Sequence, residues 1–182
     1  IASVASASVL VPFFIERYNN DPDKGRKFID SVFSAFFIAI IVVSVVVYFF
    51  IPEIITILVP GFKTDKSLPE LIQATRILLL SPIFLCLSNF FSSITQMHKR
   101  FLIYAISPIL YNVGIIIGII FIYPTLGLNG LILGVVLGAF MHMAVQIPFI
   151  MHKESFPRLS IKVDWADIKQ VVRISLPRTL TL

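Results

Sequence analysis

From Phe101 to His152 the chain carries no Asp, Glu, Lys or Arg. That run constrains the fold more than any other feature. A helix crosses the ~30 Å hydrocarbon core of a bilayer with about 20 apolar residues, so this run holds two crossings. The break falls at Tyr123–Gly130, YPTLGLNG, a turn by composition, leaving spans at 101–123 and 131–151. In lipid every backbone polar group must be satisfied internally, which leaves helices or closed barrels. An uninterrupted apolar run lacks the two-residue alternation of a barrel strand. The expected fold is therefore all-α, a polytopic transmembrane helical bundle.

The remaining segments fit the same pattern. Residues 1–15 form the apolar end of a span, rich in Ala and Ser and carrying Pro12. A polar loop follows at Glu16–Lys27, in which Asp21-Pro22 is a helix start, with Asp as cap and Pro at the first helical position. The second span is placed at 28–52, and Ser31–Pro52 within it is free of charge. Glu53–Glu70 is the next connection, with Val59–Phe62, VPGF, as a turn signal. The third span, 71–96, ends on a basic hinge, His98-Lys99-Arg100. After the long uncharged run, Lys153–Arg173 is polar again. Asp164 is placed as the N-cap of a short amphipathic surface helix at 165–173, with Trp165, Ile168 and Val172 on one face. A last, partial span is placed at 174–182. The chain opens without Met and stops as that segment begins, so it is read as an internal piece of a longer protein.

Composition limits the function classes. The chain is 57% hydrophobic and 14% charged, with a mean hydropathy of +0.93. A water-exposed surface at this length needs far more charge. The net charge of +5 does not point to nucleic acid, because the cations cluster between apolar runs, as in membrane loops. Arg17, Lys24, Arg26, Lys27, Lys99, Arg100, Lys153, Arg158, Lys162, Lys169 and Arg173 fall on one set of loops, and only Lys63 and Lys66 on the other. By the positive-inside rule the first set is cytoplasmic.

No enzyme site is expected. His98, His142 and His152 have no Cys or carboxylate at metal-ligand spacing. No phosphate-binding loop is present, so no cofactor is expected. Asp and Glu are confined to loops and span ends, which leaves no intramembrane carboxylate pair for ion coupling, and the coupling ion is left open.

The candidate binding residues are polar groups within spans. Asn89, Ser92, Ser93 and Gln96 lie three or four apart on one helix face, and Asn112 stands in the following span. Arg76 and Arg178, near opposite ends of their spans, are candidates for an anionic substrate group. The competing reading is that they snorkel to headgroups. Gly114 and Gly118 make one GxxxG pair, and Gly130, Gly134 and Gly138 make two more. His142 and Gln146 continue the second row, and such rows are helix-packing surfaces.

In order along the chain, several motifs resemble one family. These are VPFF at Val11–Phe14 before a basic loop, VPGF after the next span, and Arg76-Ile77-Leu78 with Ser81-Pro82. KRF at Lys99–Phe101, SPILYN at Ser107–Asn112, LGLNGLILGVVLG, and Gln146 followed by Pro148 complete the series. The pattern resembles the first half of the MurJ (MviN) lipid II flippases, in the multidrug/oligosaccharidyl-lipid/polysaccharide exporter superfamily. The resemblance covers essentially the whole chain and implies a fragment of one lobe of a two-lobe exporter, from its second helix to the start of its seventh.

The resemblance also implies a bacterial cytoplasmic membrane location, membrane lipids as surroundings and a lipid-linked substrate. That substrate is an undecaprenyl-pyrophosphate-linked peptidoglycan precursor moved by alternating access. Many of the family's cavity arginines lie in regions this chain does not include. The alternatives are a polysaccharide-lipid flippase or a drug/cation antiporter of the same superfamily, or a non-transporting membrane scaffold.

Overall fold

The computed structural model of the chain describes residues 7–62, 67–153, 156–160 and 164–180. Among them there are helices and turns and no strand. Four helical stretches are long and apolar enough to cross a membrane: Pro22–Leu58, Leu68–Met97, Phe101–Leu126 and Leu128–His152. The small-residue run at 2–6 and the loop cations Lys63, Lys66 and Lys162 lie outside the described residues.

Helix α1 (Ala7–Asn20) turns directly into α2 (Pro22–Leu58). Asp21 caps α2 with an extended backbone. Its carboxylate accepts from the amides of Asp23 at 3.1 Å and Lys24 at 3.3 Å. Pro22 takes the first helical position, where a missing N–H removes no bond. The Lys24 amide bond is the main reason the Asp21 carboxyl is held below its ordinary value, and the Lys24 charge adds to it.

At 1.5 Å per residue α2 is about 55 Å long, well beyond a ~30 Å core, so its charged first turns stand outside the apolar layer. A single 3₁₀ turn, Pro60–Phe62, follows it.

The next span is two helices, α3 (Leu68–Leu78) and α4 (Leu80–Met97), with a break at Leu79. Pro82 accounts for the break: it has no N–H to give the carbonyl four residues back. The basic hinge ends α4 through a left-handed residue, Lys99 at φ 58°. The amides of Lys99 and Arg100 close on Gln96 O and Thr95 O at 2.9 and 3.1 Å. This is a Schellman closure, here with Lys where Gly is usual.

Helix α5 (Phe101–Ile117) widens into one π-turn, Gly118–Ile122, before the short α6 (Tyr123–Leu126). The amide of Tyr123 reaches Gly118 O, five residues back, because Pro124 disturbs the regular ladder just beyond. The turn to α7 (Leu128–Ala144) is tighter than the eight-residue turn read from composition: it pivots on Gly127 at φ 55°. The last turn of that span, α8 (Ile147–His152), is set off by Pro148.

Helix α9 (Trp165–Leu180) begins on Asp164, whose carboxylate accepts from Ala166 N at 2.9 Å. The surface helix read at 165–173 and the partial span from 174 are one continuous helix, since nothing between Arg173 and Ile174 interrupts the backbone ladder. Its Val171 is buried and joins the main core, so part of its apolar surface is spent on protein. Trp165 is 74% exposed.

The core is aromatic and sits where α1, α2 and α4 meet. Phe14 packs edge-on against Phe28 and Phe90 with centroids 5.9 and 5.8 Å apart, and Phe33 lies 5.2 Å from Phe90. The far half of α2 is different: Ile38, Val42, Val46, Phe49 and Phe50 are exposed, as expected of a face turned to lipid.

Candidate functional site

Helices α5 and α7 run antiparallel and meet along glycine. A Cβ built on Gly114 would collide with the Gly138 backbone, and one on Gly118 with Gly134. Gly130 sits against the carbonyl of Ile122, and Gly138 against that of Tyr111. The backbones touch, which only residues without side chains permit.

The α4–α7 contact is polar. Gln146 is fully buried and its amide nitrogen reaches Ser88 Oγ at 2.6 Å, Ser88 O at 3.3 Å and His142 O at 3.2 Å. Ser92 Oγ donates to Gln146 Oε1 at 3.0 Å. Ser88 Oγ and His142 Nδ1 are 2.6 Å apart in a hydrogen bond whose direction follows the imidazole tautomer. The end of α7 explains the arrangement. The Gln146 amide N–H turns to Met143 O at 3.2 Å, and the His142 carbonyl accepts from Ser88 Oγ at 3.1 Å and from the Gln146 side chain. A weakened helix end is thereby closed by side chains from two helices.

The polar stripe of α4 is divided by this packing. Ser92 belongs to the network just described. Ser93 is buried and its hydroxyl donates to Asn89 O at 3.1 Å. The Asn89 side chain is exposed and Gln96 is half-buried. Asn112, exposed on α5, donates to Pro108 O at 2.9 Å within its own helix.

Arg76 lies apart, in a groove between α2 and α3, with its guanidinium carbon 4.7 Å from the centre of the Tyr48 ring. Arg178 is on α9, and its side chain lies outside the described residues.

Two connections had no signal in the sequence reading. The segment 156–160 and Asp164 are strapped onto the start of α2: Arg158 N to Asp30 Oδ1 at 2.8 Å, Ser160 N to Ser34 Oγ at 2.7 Å and Asp164 N to Ser31 Oγ at 2.7 Å. Arg17 then ties α1 to α9 through Asp167 at 2.7 Å and Gln170 at 3.1 Å. Burial pushes the Asp167 carboxyl up and prevails over the opposing pull of Arg17. Among the described residues no group of three or more His, Cys, Asp or Glu is placed to hold a metal ion.

Four apolar crossings and cations gathered on the loops define a multi-pass helical membrane protein. The family model described as "Lipid II flippase MurJ" matches residues 2–182, and the chain belongs to that family. It is 30% identical over 117 residues to a probable lipid II flippase MurJ of Rickettsia prowazekii, a match covering 64% of this chain and 23% of that protein. A probable lipid II flippase MurJ of Borreliella burgdorferi is 27% identical over 145 residues, 80% of this chain and 28% of the relative. The lipid II flippase MurJ of Burkholderia cenocepacia is 23% identical over 189 residues, 100% of this chain and 37% of the relative. The chain thus spans between 23% and 37% of the length of these relatives.

Proposed function

We propose that this chain is part of a flippase that carries a lipid-linked peptidoglycan precursor across the bacterial cytoplasmic membrane by alternating access, making and breaking no covalent bond. The observation that carries the reading is the family match over 2–182, on a chain with four helical stretches long and apolar enough to cross a membrane. In this reading the described helices belong to one lobe, and loops 16–27, 98–100 and 153–173 face the cytoplasm.

Division of the polar groups supports a distinction of roles. Ser88, Ser92, His142 and Gln146 hold helices together. Asn89, Gln96 and Asn112, less enclosed, are the groups assigned here to the substrate path, with Arg178 at its cytoplasmic end. A pyrophosphate needs such cations and donors in a site of low dielectric, where guanidinium forks bind phosphate oxygens in pairs.

The test is complementation. The full-length protein, produced in a bacterium depleted of its own flippase, is expected to restore growth, with membrane levels checked by immunoblot. Normal amounts of folded protein without restored growth would contradict the reading.

A further inference from the structure

The α2–α3 groove encloses about 1070 Å³, just above the ~300–1,000 Å³ typical of ligand sites. Its walls are apolar, with Ile41, Val45 and Phe49 on one side and Ile72, Leu80 and Ile83 on the other. Arg76 is the one cation among the described lining residues. Among the described residues its buried Nε has no hydrogen-bond partner and no carboxylate pairs with it. The guanidinium carbon lies over the Tyr48 ring at 4.7 Å, which anchors the side chain and leaves its terminal N–H groups to meet an anion.

Depth matters as much as charge. The uncharged stretch Ser31–Pro52 of α2 is about 33 Å long at 1.5 Å per residue, close to the thickness of the hydrocarbon core. Tyr48 stands one turn inside the end nearer the α2–α3 connection, the depth of an interfacial aromatic. Arg76 therefore sits at the headgroup boundary of that leaflet, and the groove descends from it towards Ile41 and Ile83.

We propose that the α2–α3 groove holds a glycerophospholipid of that leaflet, its phosphodiester on the Arg76 guanidinium and an acyl chain along the apolar walls. A phosphodiester carries one negative charge, which a single guanidinium matches. A polyprenyl pyrophosphate carries more and finds no second cation among the described lining residues. The site is distinct from the proposed substrate path, and its test needs no transport.

The experiment uses the full-length protein reconstituted with phosphatidylglycerol bearing a photoreactive diazirine on one acyl chain, followed by illumination and peptide mapping. Label is expected between Ile41 and Phe49 and between Ile72 and Ile83. Arg76→Gln should lower it at least fivefold while label on exposed Ile116 of α5 and Ile119 of the π-turn that follows it is unchanged. Diacylglycerol with the same diazirine, lacking the phosphate, should label the groove no better in the parent than in the variant. If Arg76→Gln does not fold, Tyr48→Leu, which frees the guanidinium, should lower the label two- to threefold.

A groove left unlabelled in the parent would mean that protein covers it, and would overturn the proposal. So would label indifferent to Arg76→Gln or to the phosphate, which marks ordinary surrounding lipid. Displacement by a polyprenyl pyrophosphate at lower concentration than by unlabelled phosphatidylglycerol would also overturn it, and would move Arg76 to the substrate path. A labelled groove in a protein that fails to restore growth would leave this inference standing and remove the transport reading.

Discussion

The α4–α7 contact and the α2–α3 contact both join helices within the apolar layer, and they do so in opposite ways. At the first, Gln146 is fully buried and its amide is bonded to Ser88, Ser92 and the His142 carbonyl. At the second, Arg76 stands over a groove of about 1070 Å³ with a buried Nε that has no partner among the described residues. One interface is closed by its own side chains, and the other is left open around a charge. Helices in lipid gain little from hydrophobic burial against each other and associate through close packing and hydrogen bonds. An interface lacking both is one that lipid enters.

The glycine seam between α5 and α7 gives the largest effect by which to break this comparison. Gly134→Leu or Gly138→Leu must push α5 away from backbone contact, at a cost of about 3 kcal/mol or more, at the upper end of overpacking penalties. Little folded full-length protein should be recovered from membranes, as read by size-exclusion profile and thermal unfolding. Parent-like stability and transport in both variants would place that seam against lipid.

Next comes the polar network. Gln146→Leu strands the Ser92 hydroxyl, takes one of its partners from Ser88 and removes a donor from the His142 carbonyl, for an expected loss of about 1–2 kcal/mol. A double-mutant cycle of Ser92→Ala with Gln146→Leu should give a coupling of about 0.6 kcal/mol, the usual size for such bonds in membranes. Zero coupling would mean that the two side chains do not meet.

Arg76→Gln sharpens the contrast by being mild. It removes a cation–π contact worth about 0.5–1 kcal/mol and relieves an unpartnered buried N–H, so unfolding in lipid-free detergent should shift little. A loss as large as that of Gln146→Leu would show Arg76 to be part of a closed interface after all.

The smallest effect is expected at His98, at the end of α4. Burial first, and the Lys153 charge second, hold its imidazole below the ordinary value. The unfolded chain then binds a proton near pH 6.5 that the folded chain resists. Stability is therefore present above that pH and falls as pH drops through it, by a fraction of a kcal/mol after solvent screening. Unfolding midpoints measured from pH 7.5 to 5.5 should show this slope in the parent and lose it in His98→Gln.

Local signals carried the fold a long way. Asp21-Pro22 marked the start of α2, and the uncharged run divided near Gly127 because a chain that must turn within a few residues needs a left-handed backbone. The interruptions inside spans were less legible. Pro82 and Pro124 were visible, but whether a proline breaks a helix, as at Leu79, or widens it, as at Gly118–Ile122, depends on what packs alongside. The site was less legible still. Ser88 and Ser92 repeat at the same spacing as His142 and Gln146, a match between two helices that becomes meaningful once their parallel register is known. Arg76 had two readings because the sequence does not say which helix lies opposite it, and Tyr48 supplies that answer. The strap on Asp30, Ser31 and Ser34 links residues more than a hundred positions apart and left no local pattern to read.

The central claim, that the protein moves a lipid-linked precursor between leaflets, is tested most directly by locating that precursor. Cells depleted of their own flippase and supplied with the full-length protein are treated with a membrane-impermeant enzyme that cleaves the precursor only where it is exposed outside. The account predicts cleavage restored to the level of undepleted cells. Precursor that stays uncleaved, in cells with normal amounts of the folded protein, would contradict it.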